Sequence, residues 1–231
     1  MKDGMRVKPR ALDLFCGAGG ATKGLQQAGF HVTGVDLTPQ PRYCGDEFWQ
    51  EDALLWDMRW LRSFHFIWAS PPCQAHTSLR KMHNAKQHED LIAPTRELLK
   101  ATGRPYVIEN VVGAPLIDPF TLCGTMFGLK TDCGAELHRH RIFEASFPVT
   151  VPAEHRHSGG DVIGVYGGHY RNRKRPGGKH RDRRDFTAAD GRTAMGIDWM
   201  TGEELSQAIP PAYSRFIAEQ FICAQQTRMA A

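Results

Sequence analysis

The chain has 231 residues, of which 41% are hydrophobic and 23% are charged, a composition typical of a folded globular protein and not of a disordered one. Its net charge is +4, and its apolar runs fall short of the roughly 18 residues that a membrane span needs. The N-terminus is basic, but Asp13 and several glycines interrupt the apolar run of a signal peptide, so we expect a cytoplasmic protein.

In chain order, short β-rich runs alternate with helical stretches over the first two thirds of the sequence. This alternation predicts an α/β fold, a doubly wound and mostly parallel sheet covered by helices. The predicted elements are a strand at ALDLF, a helix at Ala21–Ala28, strands at HVTGVD and FWQED, a helix at Ala53–Leu61, a strand at FHFIWA, a helix at Leu91–Ala101, and strands at PYVIEN and ELHRHRIFEA.

The periodicity fades after residue 147, which divides the chain into three regions. Residues 1–147 form the predicted catalytic and cofactor-binding domain. Residues 148–192 are rich in Gly, Arg and His, and we expect an inserted lobe or loop and not part of the sheet core. Residues 193–231 regain helical patterns and are expected to complete the first domain.

A basic tract lies within the insert. Residues 169–185 contain eight Lys or Arg and two Asp, whereas the rest of the chain is slightly acidic. Such a tract favours either a docking surface for a polyanion or a solvated loop without a partner, and composition alone leaves both open.

The six cysteines include no CxxC pair, and we expect reduced thiols. One group, Cys123, Cys133, His138 and His140, contains residue types that can bind a metal. Its spacing matches no common zinc pattern, so we predict no metal.

Two features lie at the ends of the first two predicted strands. LDLFCGAGG runs a strand into a glycine turn that opens a helix, and Asp36 ends the next strand. The turn lets a ligand approach the backbone, and the carboxylate can accept both hydroxyls of a ribose. These features fit NAD, FAD and S-adenosylmethionine equally well.

Three further motifs indicate chemistry at the same edge of the sheet. SPPCQ places Cys73 directly after the fourth strand, where a thiolate could act as a nucleophile. VIENV places Glu109 after the fifth strand, either as a proton donor or as an ordinary surface acid. Arg139 and Arg141 alternate on one predicted strand, which suits a bound phosphate or carboxylate, although a solvated strand face has the same pattern.

These motifs, in this order and at similar intervals, resemble those of the cytosine-5 DNA methyltransferases. The C-terminal QAIPPAYSRFIAEQF resembles the closing motif of that family, which packs beside the first strand. The resemblance covers residues 12–221 except the insert, which is shorter than the usual target-recognition region and suggests a short recognition sequence.

The resemblance implies a function and a set of roles. The chain would be a monomer in the cytoplasm of a bacterial or phage-infected cell. It would modify double-stranded DNA, for example to protect that DNA from restriction. The methylated base would be a flipped cytosine, and the catalytic residues would be Cys73, Glu109, Arg139 and Arg141. S-adenosylmethionine would be bound by Phe15, Gly17, Gly19, Gly20, Asp36, Leu37, Asp52, Ala53 and Pro72. DNA would be contacted by Gln74, Arg80, Lys81, Arg171, Arg173, Lys174 and Arg175.

Three other functions compete with this interpretation. An RNA cytosine methyltransferase shares the motifs, but its typical Cys-Phe-Thr tripeptide is missing from this sequence. A nucleic-acid-binding homologue without activity is disfavoured by the intact Cys73, Glu109 and Arg141. A nicotinamide oxidoreductase would explain the glycine turn but would leave SPPCQ and ENV without a role.

Overall fold

The computed structural model describes residues 7–73, 89–152, 155–167, 169–172 and 185–230. The strands in this part of the chain are β1 (Arg10–Leu14), β2 (His31–Asp36), β3 (Glu47–Gln50), β4 (Phe66–Ala69), β5 (Tyr106–Asn110), β6 (Phe120–Leu122), β7 (Glu136–Leu137), β8 (Arg141–Ala145), β9 (Val162–Tyr166) and β10 (His169–Asn172). The α-helices are α1 (Gly20–Gln27), α2 (Met58–Leu61), α3 (Ile92–Thr102), α4 (Ala188–Met195), α5 (Gly202–Gln207) and α6 (Pro211–Ala230), and a 3-10 helix spans Gly124–Phe127. None of these helices combines the length and the apolar character that crossing a bilayer requires.

The main sheet has seven strands in the order β3-β2-β1-β4-β5-β8-β6. Strands β1 to β5 run parallel to one another, and β8 is antiparallel to both β5 and β6. The order reverses between β1 and β4, and doubly wound sheets bind ligands beyond the carboxyl ends of the strands at such a point. The predicted fold class is confirmed, and the motifs that follow β1, β2, β4 and β5 share one edge.

Alternate residues of the central strands face two hydrophobic layers, as a two-residue side-chain period requires. Ala11 of β1 packs in the layer that includes α1 and α6. Leu12 and Leu14 pack in the opposite layer, with Leu61 of α2 and Leu99 of α3. Burial of both faces explains why central strands such as β4 are uninterrupted apolar runs.

Helix α6 packs directly on α1, and the absence of a side chain at Gly24 allows their close contact. A Cβ atom at Gly24 would collide with the Pro211 carbonyl oxygen and the Ser214 hydroxyl. Ser214 Oγ also donates a hydrogen bond to the Ala21 carbonyl oxygen at 2.8 Å. The C-terminal segment therefore packs back into the layer that contains β1, as the resemblance implied.

The insert contributes no strand to the main sheet among the described residues, but it contains two strands of the small sheet, whose order is β10-β9-β7. Strand β9 pairs antiparallel with β10 and parallel with β7, and α4 spans the boundary expected at residue 192. The five residues of β9 form too short a run to stand out among the surrounding Gly, Arg and His. They are stabilised by a core shared with the C-terminal helices, formed by Leu137, Ile163, Val165, Ala194, Met195, Ile197 and Leu205 among others.

The helix predicted at Ala53–Leu61 is confined to α2. Asp52 Oδ1 accepts a hydrogen bond from Leu54 N in a turn, and Asp57 Oδ1 caps α2 by accepting from Arg59 N and Trp60 N. Aspartate competes for backbone amides in this way, which favours a turn and a late helix start over a continuous helix.

The single strand predicted at ELHRHRIFEA is also wrong, because two strands of different sheets occupy this sequence. β7 belongs to the small sheet and β8 to the main sheet, and residues 138–140 connect them without strand pairing. The alternation of side chains across one strand therefore does not apply to Arg139 and Arg141.

Candidate active site

The turn after β1 combines a strained residue with glycines in the left-handed region. Phe15 has a φ of 59° and Gly17 a φ of 50°. A positive φ is uncommon for a residue with a side chain, and such strain concentrates at ligand sites. A Cβ atom at Gly17 would meet nothing within 4 Å in the described structure, so Gly17 borders open space at the carboxyl edge of the sheet.

Gly19 and Gly20 are required by packing against the protein itself. A Cβ atom at Gly19 would lie 2.7 Å from Cys44 Sγ, and one at Gly20 would lie 2.7 Å from the Ile209 carbonyl oxygen. These two predicted cofactor residues thus hold the start of α1 against its neighbours.

The Asp36 carboxylate bridges the glycine turn and the loop after β2. Asp36 Oδ2 accepts a hydrogen bond from Gly17 N at 3.0 Å. Asp36 Oδ1 accepts from Thr38 N at 3.0 Å and from Thr38 Oγ1 at 2.8 Å. The acid therefore lies beside the open space that Gly17 borders.

The other residues predicted to bind the cofactor differ in how far they are exposed to solvent. Leu37 is 69% exposed, Ala53 is 2% exposed, and Pro72 is half-buried beside the nucleophile loop. Asp52 follows β3 and is also half-buried.

Beneath the turn lies a buried carboxyl group that the sequence interpretation did not single out. Asp13 is fully buried, and its Oδ2 accepts a hydrogen bond from Thr22 Oγ1 at 2.6 Å. Its Oδ1 has no partner among the described residues. Burial raises the pKa of Asp13 to about 7. The sequence shows this aspartate in the LDLF motif, but it does not show that the carboxyl group is buried. The burial follows from the position of β1 at the centre of the sheet.

The first residues after β4, which lead to Cys73, are held by hydrogen bonds to two strands. Ser70 N donates to the Leu14 carbonyl oxygen at 3.1 Å. Asn110 Nδ2 donates to the Pro71 carbonyl oxygen at 2.9 Å, in a buried contact. Asn110 thereby links the end of β5 to the residues that present Cys73, a role that the sequence did not reveal.

Glu109 and Arg141 form a nearly buried ion pair on adjacent antiparallel strands. Arg141 Nε lies 3.1 Å from Glu109 Oε1, and their side chains are 11% and 9% exposed. Burial raises the pKa of Glu109, while the Arg141 charge and a hydrogen bond from Ser70 oppose that increase.

The half-buried Cys73 thiol experiences opposing influences from the same pair. Burial raises the pKa of Cys73, and the negative charge of Glu109 raises it further, whereas Arg141 and Arg139 lower it. The structure therefore brings together Cys73, Glu109 and Arg141, three residues predicted from separate motifs.

Arg139 is buried, and its guanidinium is engaged with the protein backbone. Its Nη1 donates to the Val165 carbonyl oxygen at 2.8 Å, and its Nη2 donates to that of Ser206 at 2.6 Å. Burial lowers the pKa of Arg139, and the charge of Arg141 lowers it further. Arg139 thus joins β9 and α5 to the segment before β8, and only its Nε lacks a partner among the described residues.

Of the residues assigned to DNA, Arg171 is exposed on β10. Six others fall outside the described residues, namely Gln74, Arg80, Lys81, Arg173, Lys174 and Arg175.

A seven-stranded sheet with one antiparallel strand next to its edge, a strained glycine turn and an acid after the second strand define a Rossmann-like methyltransferase fold. Residues 10–115 match the model of the family described as C-5 cytosine-specific DNA methylase. Over these residues the chain is therefore similar to the C-5 cytosine-specific DNA methylases.

Solved structures share the fold over nearly the whole chain. One is described as a DNA modification methyltransferase encoded within a prophage (E. coli), with a TM-score of 0.58, 15% identity, and coverage of 93% of this chain and 98% of that one. Another is the S. pombe Dnmt2 methyltransferase, with a TM-score of 0.57, 14% identity, and coverage of 93% and 97%. Among curated proteins, none matches the sequence significantly.

Proposed function

We propose that the chain transfers a methyl group from S-adenosylmethionine to carbon 5 of a cytosine flipped out of duplex DNA, through a covalent bond between Cys73 and carbon 6. The arrangement of Cys73 beside the Glu109–Arg141 pair carries this proposal. Burial and strand pairing hold the acid and the base-binding cation in place before any substrate arrives.

The glycine turn and Asp36 support the choice of cofactor. Gly17 leaves open space beside a carboxylate that could accept ribose hydroxyls, and the positive φ of Phe15 fixes its ring at the same turn. S-adenosylmethionine supplies an electrophilic methyl group on a sulfonium when bound. Phe15, Gly17 and Asp36 would hold it at the carboxyl edge, next to the loop that presents Cys73.

The nucleophile and the acid act on opposite parts of the pyrimidine ring. The Cys73 thiolate adds to carbon 6, and the electron pair of the C5–C6 double bond moves toward carbon 5 and the ring carbonyl. Glu109, whose pKa is raised by burial, would donate a proton or hydrogen bond at ring nitrogen 3 and so stabilise the charge that develops there. After methylation of carbon 5, loss of its proton and departure of the Cys73 sulfur restore the aromatic ring.

DNA binding would combine the catalytic edge with the basic tract of residues 169–185. Arg141 lies beside Glu109 and could hold the carbonyl of the flipped base, while Arg139 positions that segment through its backbone contacts. The excess of Lys and Arg in the tract suits phosphate contacts, which fix a protein on DNA without reading its sequence. Flipping is required because carbon 6 is inaccessible in a stacked duplex.

A transfer assay tests the proposal. Full-length protein is incubated with S-adenosylmethionine labelled in its methyl group and with unmethylated duplex DNA or, separately, with RNA. We expect label in DNA cytosine, complete loss of transfer in Cys73→Ala, and retained transfer in the matched control Cys133→Ala. Transfer to RNA alone, or equal transfer by Cys73→Ala, would contradict it.

A further inference from the structure

A cluster of one cysteine and three histidines lies at the connection between the small sheet and β8. One potential ligand atom from each of Cys123, His140, His155 and His157 lies within 4.8 Å of the corresponding atom of the other three. Two of these residues flank strands of the main sheet, since Cys123 follows β6 and His140 precedes β8. The two others belong to the insert, so the cluster joins the catalytic sheet to the start of residues 155–167.

We propose that these four residues form a structural zinc site. Cys123 Sγ lies 3.5 Å from His157 Nε2, and His140 Nε2 lies 3.1 Å from His155 Nε2. Ligand bonds of about 2.0–2.3 Å in a tetrahedral zinc site place neighbouring ligand atoms about 3.3–3.6 Å apart, so small shifts would admit the ion.

The composition of the cluster favours zinc over the other common ions. Thiolate and imidazole are preferred zinc ligands, whereas calcium and magnesium require oxygen ligands. Four protein ligands fill a tetrahedral shell, which is the arrangement of structural sites, because catalytic zinc keeps one position for water or substrate.

The immediate surroundings also suit a bound cation. Thr125 Oγ1 donates a hydrogen bond to Cys123 Sγ at 3.3 Å, a contact that stabilises a coordinating thiolate. The His138 ring stacks on that of His157 with a centroid separation of 3.6 Å, and His138 Nε2 lies 2.8 Å from Glu136 Oε2. This stacking fixes the orientation of the His157 ring from outside the cluster.

The site differs from the group considered in the sequence. Cys133 is exposed, and its Sγ lies 3.0 Å from Thr131 Oγ1, while His138 forms the stack just described. Only Cys123 and His140 belong to both sets, because the fold brings the other two ligands from the insert.

The position of the site gives the metal a function. His140 lies between Arg139 and Arg141 in the sequence, and Arg141 pairs with Glu109. An ion held by His140 and by the insert would fix the connection between β7 and β8, and with it the placement of both arginines. The proposal does not depend on the methyl-transfer reaction.

Metal content tests the proposal directly. Full-length protein without a histidine tag is purified in a reducing buffer, supplied with zinc and dialysed against metal-free buffer. We expect about one zinc per chain by mass spectrometry, a loss of most of that zinc in Cys123→Ser and His157→Ala, and full retention in Cys133→Ser. Zinc-free wild type, or unchanged zinc in Cys123→Ser, would overturn the site.

Cobalt replacement separates coordination from folding. In the unaltered chain, bound Co²⁺ should give a thiolate-to-metal charge-transfer band and the strong visible absorption of tetrahedral cobalt, and the melting temperature should fall when the metal is chelated. Without such a band in the wild type, Cys123 is not a ligand and the proposal fails. Circular dichroism checks whether a variant without the band is folded. If the band persists in folded Cys123→Ser, the site is equally excluded.

Discussion

At the scale of single residues, the charge on Glu109 influences how readily Cys73 ionises. Cys73 follows β4 and Glu109 lies near the end of the neighbouring strand β5, and Arg141 acts on both with the opposite sign. The Cys73 thiol has a raised pKa in the free protein, so the proposed reaction would be favoured by protonation of Glu109 or by its hydrogen bonding to the base.

Alkylation of Cys73 measures this coupling. Glu109→Gln should lower the pKa of Cys73 and speed its alkylation near neutral pH, whereas Arg141→Gln should raise that pKa and slow it. Effects of several-fold are expected, because one pKa unit changes the thiolate fraction about tenfold. The rate of iodoacetamide labelling of the Cys73 peptide against pH checks this, with exposed Cys133 as the internal reference. Coincident profiles for both variants would refute the coupling.

Asp13 makes a second residue-scale prediction, on stability against pH. Its folded-state pKa of about 7 exceeds the ordinary value of 3.8, so above pH 4 the unfolded chain releases a proton that the folded chain retains. The contribution of Asp13 to the free energy of unfolding therefore falls as the pH rises from 4 to 7, and Asp13→Asn removes this loss. The variant should gain up to about 4 kcal/mol relative to wild type between those limits.

Urea unfolding at several pH values from 4 to 8 provides the measurement. Asp132→Asn, on the exposed surface, is the matched control and should follow the wild type. A stability difference between Asp13→Asn and wild type that is the same at every pH would be inconsistent with a buried acid of raised pKa.

At the scale of elements, the contact between α1 and α6 completes the layer behind the glycine turn. Alanine normally stabilises a helix relative to glycine by about 1 kcal/mol. At Gly24 the sign should reverse, because a Cβ atom would collide with backbone and side-chain atoms of α6. We expect Gly24→Ala to destabilise the protein by about 1–3 kcal/mol in urea unfolding.

Gln27→Ala serves as the control on the same helix, since Gln27 is exposed and its replacement should change stability by less than about 0.5 kcal/mol. A Gly24→Ala variant as stable as the wild type would show that the two helices are not in close contact.

The elements also show which parts of the fold a sequence can predict. β1, β2, β4 and β5 were predictable because both of their faces are buried and their apolar runs end at glycine, acid or proline. β9 was not, because its partner β7 lies far away in the sequence and its core is completed by helices beyond residue 187.

At the scale of the whole molecule, the same limit applies to the candidate site. Cys73, Glu109 and Arg141 could be named as candidates because each belongs to a short motif at the end of a strand of the main sheet. The Asn110–Pro71 contact and the backbone contacts of Arg139 depend on how loops from distant parts of the chain meet. The cysteine–histidine cluster is the clearest case, since three separate segments supply its four members.

Covalent trapping on modified DNA is the most direct test of the central claim that Cys73 attacks cytosine. A long duplex of mixed sequence contains every short recognition sequence, and in this test each of its cytosines carries fluorine at carbon 5. Fluorine cannot leave as a cation, so the adduct cannot collapse after methylation. With S-adenosylmethionine present, we predict a protein–DNA complex that survives denaturation, maps to the Cys73 peptide, disappears in Cys73→Ser and persists in Cys133→Ser. Failure to form a complex, or a complex that persists in Cys73→Ser, would contradict the mechanism.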